Sequence, residues 1–266
     1  ISSISLAAGW PSKRGTIGGL TWGVYAWLLF AGLLLLAMLA AILLPGLRLR
    51  RGTARRLAGL YFKLAGLGPT VLHRDRLPAT QCVVVANHAS YLDGALLFAL
   101  LPSRFGFVIK SEMQAVPVAG WFLRRLGHAF VDRHHKGRGA RDTRRILRTT
   151  TGGSSMAFFP EGTFTEEPGL ARFHNGAFVT AARAGLPVVP VVIRGARRVL
   201  PAEHWLPRRQ RLEVEFLDPL LPPAGIDPMP WLRDSSRQKI LERLDEPDLT
   251  AADDLHVAPV APSDGV

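Results

Sequence analysis

The chain has 266 residues and a mass of 29.0 kDa, a size that suits one ordinary domain with an appendage. Apolar residues make up 48% of it, and its one cysteine, Cys82, excludes an internal disulfide framework and a cysteine-based zinc site. Thirty-three lysines and arginines against 21 acidic residues leave a net charge of +12. That excess implies an anionic partner, which composition alone leaves open between nucleic acid, an anionic membrane surface and a phosphorylated or acidic substrate.

The charge is unevenly placed. Residues 1–72 hold eight basic side chains and no acidic one, whereas residues 245–266 hold six acidic side chains and no lysine or arginine. That acidic tail, with Pro247, Pro259 and Pro262, reads as disordered. Behind an N-terminal flank, residues 1–19, the run from Leu20 to Leu44 is apolar apart from Thr21, Gly23 and Gly32. A transmembrane helix is therefore expected over residues 20–47, with Trp22, Tyr25 and Trp27 at one interface. Arg48, Arg50, Arg51, Arg55 and Arg56 crowd its other end, which predicts a single pass through the inner or plasma membrane of a bacterium with the rest of the chain cytoplasmic. A signal peptide is too short to match, and a chain opening on Ile1 fits a piece of a longer polypeptide. Residues 48–72 follow as a basic membrane-associated segment, with an amphipathic helix over Thr53 to Leu67 whose arginines lie on anionic headgroups.

From residue 73 to residue 244 short strands alternate with helices, the signature of an α/β domain with a sheet flanked by helices. Strands are expected at Cys82–Ala86, Phe105–Lys110, His128–Val131, Met156–Phe159, Val188–Arg194 and Arg211–Leu217. Helices are expected at Tyr91–Leu101, Val118–Leu126, Gly139–Thr150, Gly176–Ala184 and Met229–Leu244.

Chemistry concentrates where the first strand of that domain runs into its helix, at Asn87-His-Ala-Ser-Tyr-Leu-Asp93. On one continuous helix His88 and Asp93 would point about 140° apart, but across a strand-to-helix turn they can meet. A carboxylate on Nδ1 fixes the imidazole tautomer and leaves Nε2 as a base. Ser90-Tyr-Leu-Asp93 equally fits a capping box in which Asp93 only caps the helix. A further turn, Phe159-Pro-Glu-Gly-Thr163, follows an apolar strand; it reads either as an ordinary turn or as backbone N–H groups offered to an anion. There is no G-x-S-x-G elbow, and Cys82 lies in a strand without an activating partner, so the sequence marks neither a serine nor a cysteine nucleophile.

Asn87 to Asp93 resembles the NHxxxxD box of the glycerolipid acyltransferases, the family of the 1-acylglycerol-3-phosphate acyltransferases. Lys110-Ser-Glu-Met with Pro117, Gly120, Gly127, Phe130 and Arg133 is similar to that family's second block, Phe159 to Thr163 to its third, and Val189-Pro-Val191 to its fourth. The resemblance spans Asn87 to Val191 and implies a mixed sheet flanked by helices. It also implies transfer of a fatty acyl chain from acyl-CoA or acyl carrier protein to the free hydroxyl of a lysophospholipid, 1-acylglycerol-3-phosphate first. In it His88 is the general base, Asp93 its orienting partner, and Asn87, Lys110, Arg133, Glu161, Gly162 and Thr163 bind substrate; no metal and no bound cofactor take part. One departure stands out, because the third block usually ends in EGTR and here Phe164, Thr165, Glu166 and Glu167 follow Thr163. Losing that cation weakens a phosphomonoester site unless Arg133, Lys110, Arg172 or His174 replaces it, so the acceptor is either lysophosphatidate held by Arg133 or a lysolipid with a less anionic headgroup.

His134-His135 reads as a solvated loop in preference to a metal site. The basic stretch with Arg138, Arg141, Arg144, Arg145 and Arg148 carries no nucleic-acid-binding pattern, so lipid headgroups or coenzyme A phosphates are the expected partners, and nucleic acid is not. The competing reading is a non-catalytic basic protein that binds membrane or nucleic acid and retains the fold.

Overall fold

In the computed structural model, residues 16–132, 150, 153–164 and 167–250 are described. Seven strands form one sheet: β1 (Thr70–Leu72), β2 (Val83–Ala86), β3 (Phe105–Lys110), β4 (Ala129–Val131), β5 (Ser155–Phe158), β6 (Val188–Arg194) and β7 (Glu213–Phe216). Their spatial order is β1-β7-β6-β2-β5-β3-β4. The run from β6 to β4 is parallel, while β7 is antiparallel to β6 and carries β1 parallel to itself. The sheet is thus mixed and flanked by helices, and the six expected strands are present. β1 was not anticipated, since three residues are too short for a period to register.

Helices cover both faces. On one side lie α1 (Thr16–Leu43), α2 (Leu47–Leu64) and α3 (Leu92–Leu100), with the single turn α6 (Ala196–Val199). Their apolar side chains meet Val84, Ala86, Phe105, Phe107, Val189, Val191 and Ile193. On the other side, α5 (Gly176–Ala184) and α7 (Pro228–Leu241) bury Val83, Val85, Met156, Phe158, Val188 and Val192. Successive strand residues serve opposite faces, so the unbroken Val83-Val-Val-Ala86 run is a strand buried on both sides. Helix α4 (Pro117–Arg125) starts on a proline, whose absent N–H costs nothing in a first turn. The expected helix Gly139–Thr150, apart from Thr150 itself, lies outside the described residues, as do Arg133, His134 and His135.

Helix α1 has the length and apolarity of a membrane-crossing helix over Gly18–Leu43. It does not stand apart from the domain. Small or aromatic residues, Trp22, Ala26, Ala37 and Ala41, form its buried face, and its ends are tied down by Trp22 Nε1 donating to Ala65 O and Arg125 Nε donating to Ala41 O. Leu20, Val24, Leu28, Leu35, Leu39 and Ile42 occupy the exposed face. Of the five arginines that crowd the end of the apolar run, Arg51 is buried. Its Nε donates to Leu126 O at 2.6 Å and its Nη2 to Gly127 O at 2.7 Å, so it rivets α2 to the α/β domain. Arg48 and Arg56 are exposed as expected.

The acidic tail also differs from expectation at its start. Leu170 N donates to Pro247 O and Leu249 N to Leu170 O, while Asp248 pairs with Arg237 and Glu246 with Arg197. Residues 245–250 are therefore strapped to the domain by an ion-paired bridge that composition does not reveal; residues 251–266 lie outside the described part. Arg51 generates a prediction. Hydrogen bonds from charged donors contribute about 1.5–3 kcal/mol each, so with two of them lost Arg51→Met should destabilise the protein by about 3–6 kcal/mol in denaturant unfolding in mild detergent, and an unchanged midpoint would contradict the rivet.

Candidate active site

The carboxyl ends of β2, β5 and β3 lie side by side, and each carries residues singled out in the sequence. Ligands in open α/β sheets gather at that edge. Beyond β2, the chain turns into α3 through residues 87–91. Asp93, at the start of α3, is fully buried, and its Oδ2 accepts from Ala89 N–H at 2.6 Å and Ser90 N–H at 2.7 Å. The same oxygen lies 2.9 Å from His88 Nδ1. One oxygen thus holds the imidazole and the two backbone N–H groups just ahead of α3 at once.

The tautomer follows from those donors. Two backbone N–H groups already point at Oδ2, so the oxygen is an acceptor and Nδ1 must supply the third proton. Nε2 is left with its lone pair. Among the described residues Asp93 Oδ1 is buried without a hydrogen-bond partner, so the charge of the carboxylate is poorly dispersed and is available to an imidazolium when one forms. Phe159 stacks on the His88 ring with centroids 4.4 Å apart. Phe164 meets it edge-on at 4.9 Å, and Tyr91 in turn meets Phe164 at 4.7 Å. The His88 ring thus sits in an aromatic slot.

Several residues expected to bind substrate are committed elsewhere. The Asn87 side chain is buried and doubly bonded to the backbone of Ile193, Nδ2 donating to the carbonyl at 2.9 Å and Oδ1 accepting at 2.7 Å. It clamps β2 to β6 and has no reach toward a ligand. Glu161 is turned inward, accepting from His88 N–H on Oε1 at 2.6 Å and from Ala171 N–H on Oε2 at 2.9 Å. Burial pushes its carboxyl up to about 7 against the pull of those two donors, with Asp93 and Glu246 adding to the rise. Gly162 takes φ 87°, where a side chain would strain the backbone, and its N–H donates to Phe159 O at 3.1 Å and is not offered to an anion. Thr163 and Lys110 are exposed at this edge. Two strand spacings of about 4.8 Å separate the ends of β2 and β3, which places Lys110 roughly 10 Å from His88 along the sheet. Arg133, two residues beyond β4, lies outside the described residues.

The alternative nucleophiles are closed off. Cys82 is buried just ahead of β2, and burial pushes its thiol up to about 11. Ser90 Oγ is buried and donates to Leu200 O at 2.8 Å. Aromatic residues Phe159, Phe164 and Tyr91 were legible in sequence only as strand, departure and filler, because nothing local says that they converge on one ring. Ala171 escaped notice because it contributes only a backbone N–H.

Residues 69–194 match the family model described as Acyltransferase. A chloroplastic 1-acyl-sn-glycerol-3-phosphate acyltransferase of Brassica napus is 35% identical over 129 residues, 48% of this chain and 37% of that protein. A lyso-ornithine lipid O-acyltransferase of Pseudomonas aeruginosa is 36% identical over 128 residues, 47% of each chain. This chain thus spans less than half the length of these curated relatives. The crystal structure of a 1-acyl-sn-glycerophosphate acyltransferase from Thermotoga maritima superposes with a TM-score of 0.68 at 21% identity, covering 92% of this chain and 99% of that one, which establishes the fold.

A prediction follows from Glu161. A carboxyl whose folded pKa of about 7 exceeds its ordinary 4.5 holds its proton more tightly when folded. Its contribution to stability is then full below about pH 4.5 and is lost as pH rises through 7. Glu161→Gln should flatten that fall in unfolding measurements across this window, and an unchanged slope would contradict the buried assignment.

Proposed function

We propose that this chain is a glycerolipid acyltransferase, which transfers a fatty acyl chain from a thioester to the free hydroxyl of a lysolipid. The observation that carries the reading is the His88 Nδ1 to Asp93 Oδ2 contact of 2.9 Å on an oxygen already holding two backbone N–H groups. It leaves Nε2 as the base.

The acceptor hydroxyl gives its proton to Nε2 as its oxygen attacks the thioester carbonyl. The tetrahedral adduct then expels the thiolate with cleavage of the C–S bond, and the imidazolium returns the proton to sulfur. The products are an ester and a free thiol, and no acyl-enzyme forms. Asp93 holds the ring and offsets the imidazolium charge, while Glu161 fixes the backbone of His88 from the opposite side. Acyl-CoA and acyl carrier protein both supply the required thioester. Lys110 and Thr163 remain exposed for the acceptor's polar end, with Arg133 as a further cation.

The acceptor we propose is 1-acylglycerol-3-phosphate, on the names of the relatives. A second reading, a lysolipid with a less anionic headgroup, is favoured by Phe164, which lies against His88 where a cation would serve a phosphate. The exposed apolar face of α1, continued by Leu60 and Leu64 of α2, faces the bilayer in this reading and brings the lysolipid to the site. Docked along the domain, α1 suits partial immersion better than an isolated crossing.

Two measurements test the proposal on purified protein in lipid. His88→Ala should lower acyl transfer by roughly 10²–10⁴-fold with unchanged unfolding behaviour, and transfer that survives would remove His88 as the base. Phe164→Arg should raise the rate on lysophosphatidate relative to a zwitterionic or neutral lysolipid by roughly tenfold or more, as one new charge-assisted bond would. An unchanged ratio would discard Phe164 as the determinant of the acceptor.

A further inference from the structure

The loop after α6 carries a surface that acyl transfer does not use. Within residues 203–211, Trp205 is 71% exposed, and His204, Arg208, Arg209 and Arg211 are exposed around it. Three arginines there face a single acidic neighbour, Glu203. An exposed indole in one short loop with three exposed arginines is well placed at headgroup depth, where the ring prefers the interface and the cations meet anionic lipid.

The loop also continues the apolar face of α1. At about 100° per residue, Tyr25 and Trp27 lie roughly 160° apart around that helix and border its exposed stripe on opposite sides. Tyr25 Oη donates to Leu64 O of α2, closing one border. Trp27 Nε1 donates to Trp205 O at 2.7 Å, closing the other with the loop. Leu206 fills the space beside Gly23, where an added Cβ would come within 2.5 Å of its Cδ1, so that glycine is what allows the loop to sit down on the helix. The Arg209 guanidinium lies 5.6 Å above the Trp22 ring. At its other end the loop is tied to the catalytic turn, for Ser90 Oγ donates to Leu200 O and Arg208 N–H to Val199 O.

We propose that residues 203–211 form a second membrane-contacting element, which seats the rim of the active site on an anionic bilayer surface with Trp205 at headgroup depth. The inference rests on the reading of α1 as membrane-facing. A bilayer is favoured over a soluble acidic protein because the exposed indole is contiguous with an apolar helix face of many leucines, which no soluble partner would leave uncovered. Its consequence for the reaction is that lysolipid enters beside His88 without leaving the interface.

The chain's one cysteine is buried, so a cysteine introduced at the surface is the labelled position. Full-length Trp205→Cys and Leu28→Cys, each carrying an environment-sensitive fluorophore, are mixed with phosphatidylcholine vesicles with and without phosphatidylglycerol. The expected result is a shift to shorter emission wavelength at both positions, enhanced by phosphatidylglycerol at 205. Reversing Arg208 and Arg211 to glutamate in the Trp205→Cys protein should return its emission toward the value in water, whereas the same reversal in the Leu28→Cys protein leaves emission unchanged. A water-like signal at 205 with insertion at 28 would overturn the inference and leave the arginines to a soluble acidic partner. Water-like signals at both would overturn the membrane-facing reading of α1 and this inference with it.

Discussion

One carboxylate oxygen organises this molecule's chemistry. Asp93 Oδ2 receives two backbone N–H groups and one imidazole nitrogen, and the geometry of each constrains the others. The turn between β2 and α3 can close only if the backbone donors reach the oxygen, and once they do, the imidazole has a single tautomer available to it. Closure of the turn into α3 and orientation of the imidazole are therefore a single structural event. Removing the carboxylate would free two N–H groups in a buried place as well as the ring, so folding and activity are coupled at this residue.

A second carboxylate closes the ring of constraints from the far side. Glu161 holds the His88 N–H and the Ala171 N–H, and the strand of chain at Leu170–Ala171 is itself gripped by Arg237, which donates to both carbonyls, and by the strap at Pro247–Leu249. The position of the base is thus referred outward to an ion pair between Arg237 and Asp248 on the other side of the sheet. Around this frame the faces of the His88 ring are lined by aromatic carbon from Phe159 and Phe164. In the proposed reaction such an apolar slot suits a lipid whose reacting hydroxyl lies close to its acyl chain, and Asp93 offsets the charge an imidazolium would carry there.

Much of this was legible in the sequence where the signal is local. Buried strands announce themselves as β-branched runs, and the strand-to-helix turn with His88 and Asp93 could be read because both partners lie within six residues. The roles that misled have partners far along the chain. Asn87 bonds Ile193 across 106 residues, Glu161 bonds His88 across 73, and Arg51 bonds Leu126 across 75. A polar side chain inside a reactive motif reads equally well as ligand contact or as scaffold, and only the sheet order, which brings β6 and β5 to either side of β2, decides between them. The strap at 245–250 was hidden for a similar reason, since its acidic residues look solvated until Arg197 and Arg237 are brought beneath them.

The tautomer of His88 is the point at which the account is most exposed. Nitrogen-15 NMR of histidine-labelled full-length protein, with the His88 signals assigned by their loss in His88→Gln, reads it directly. The account predicts Nδ1 protonated and Nε2 bare in the neutral ring. A proton on Nε2, with Nδ1 bare toward Asp93, would contradict it.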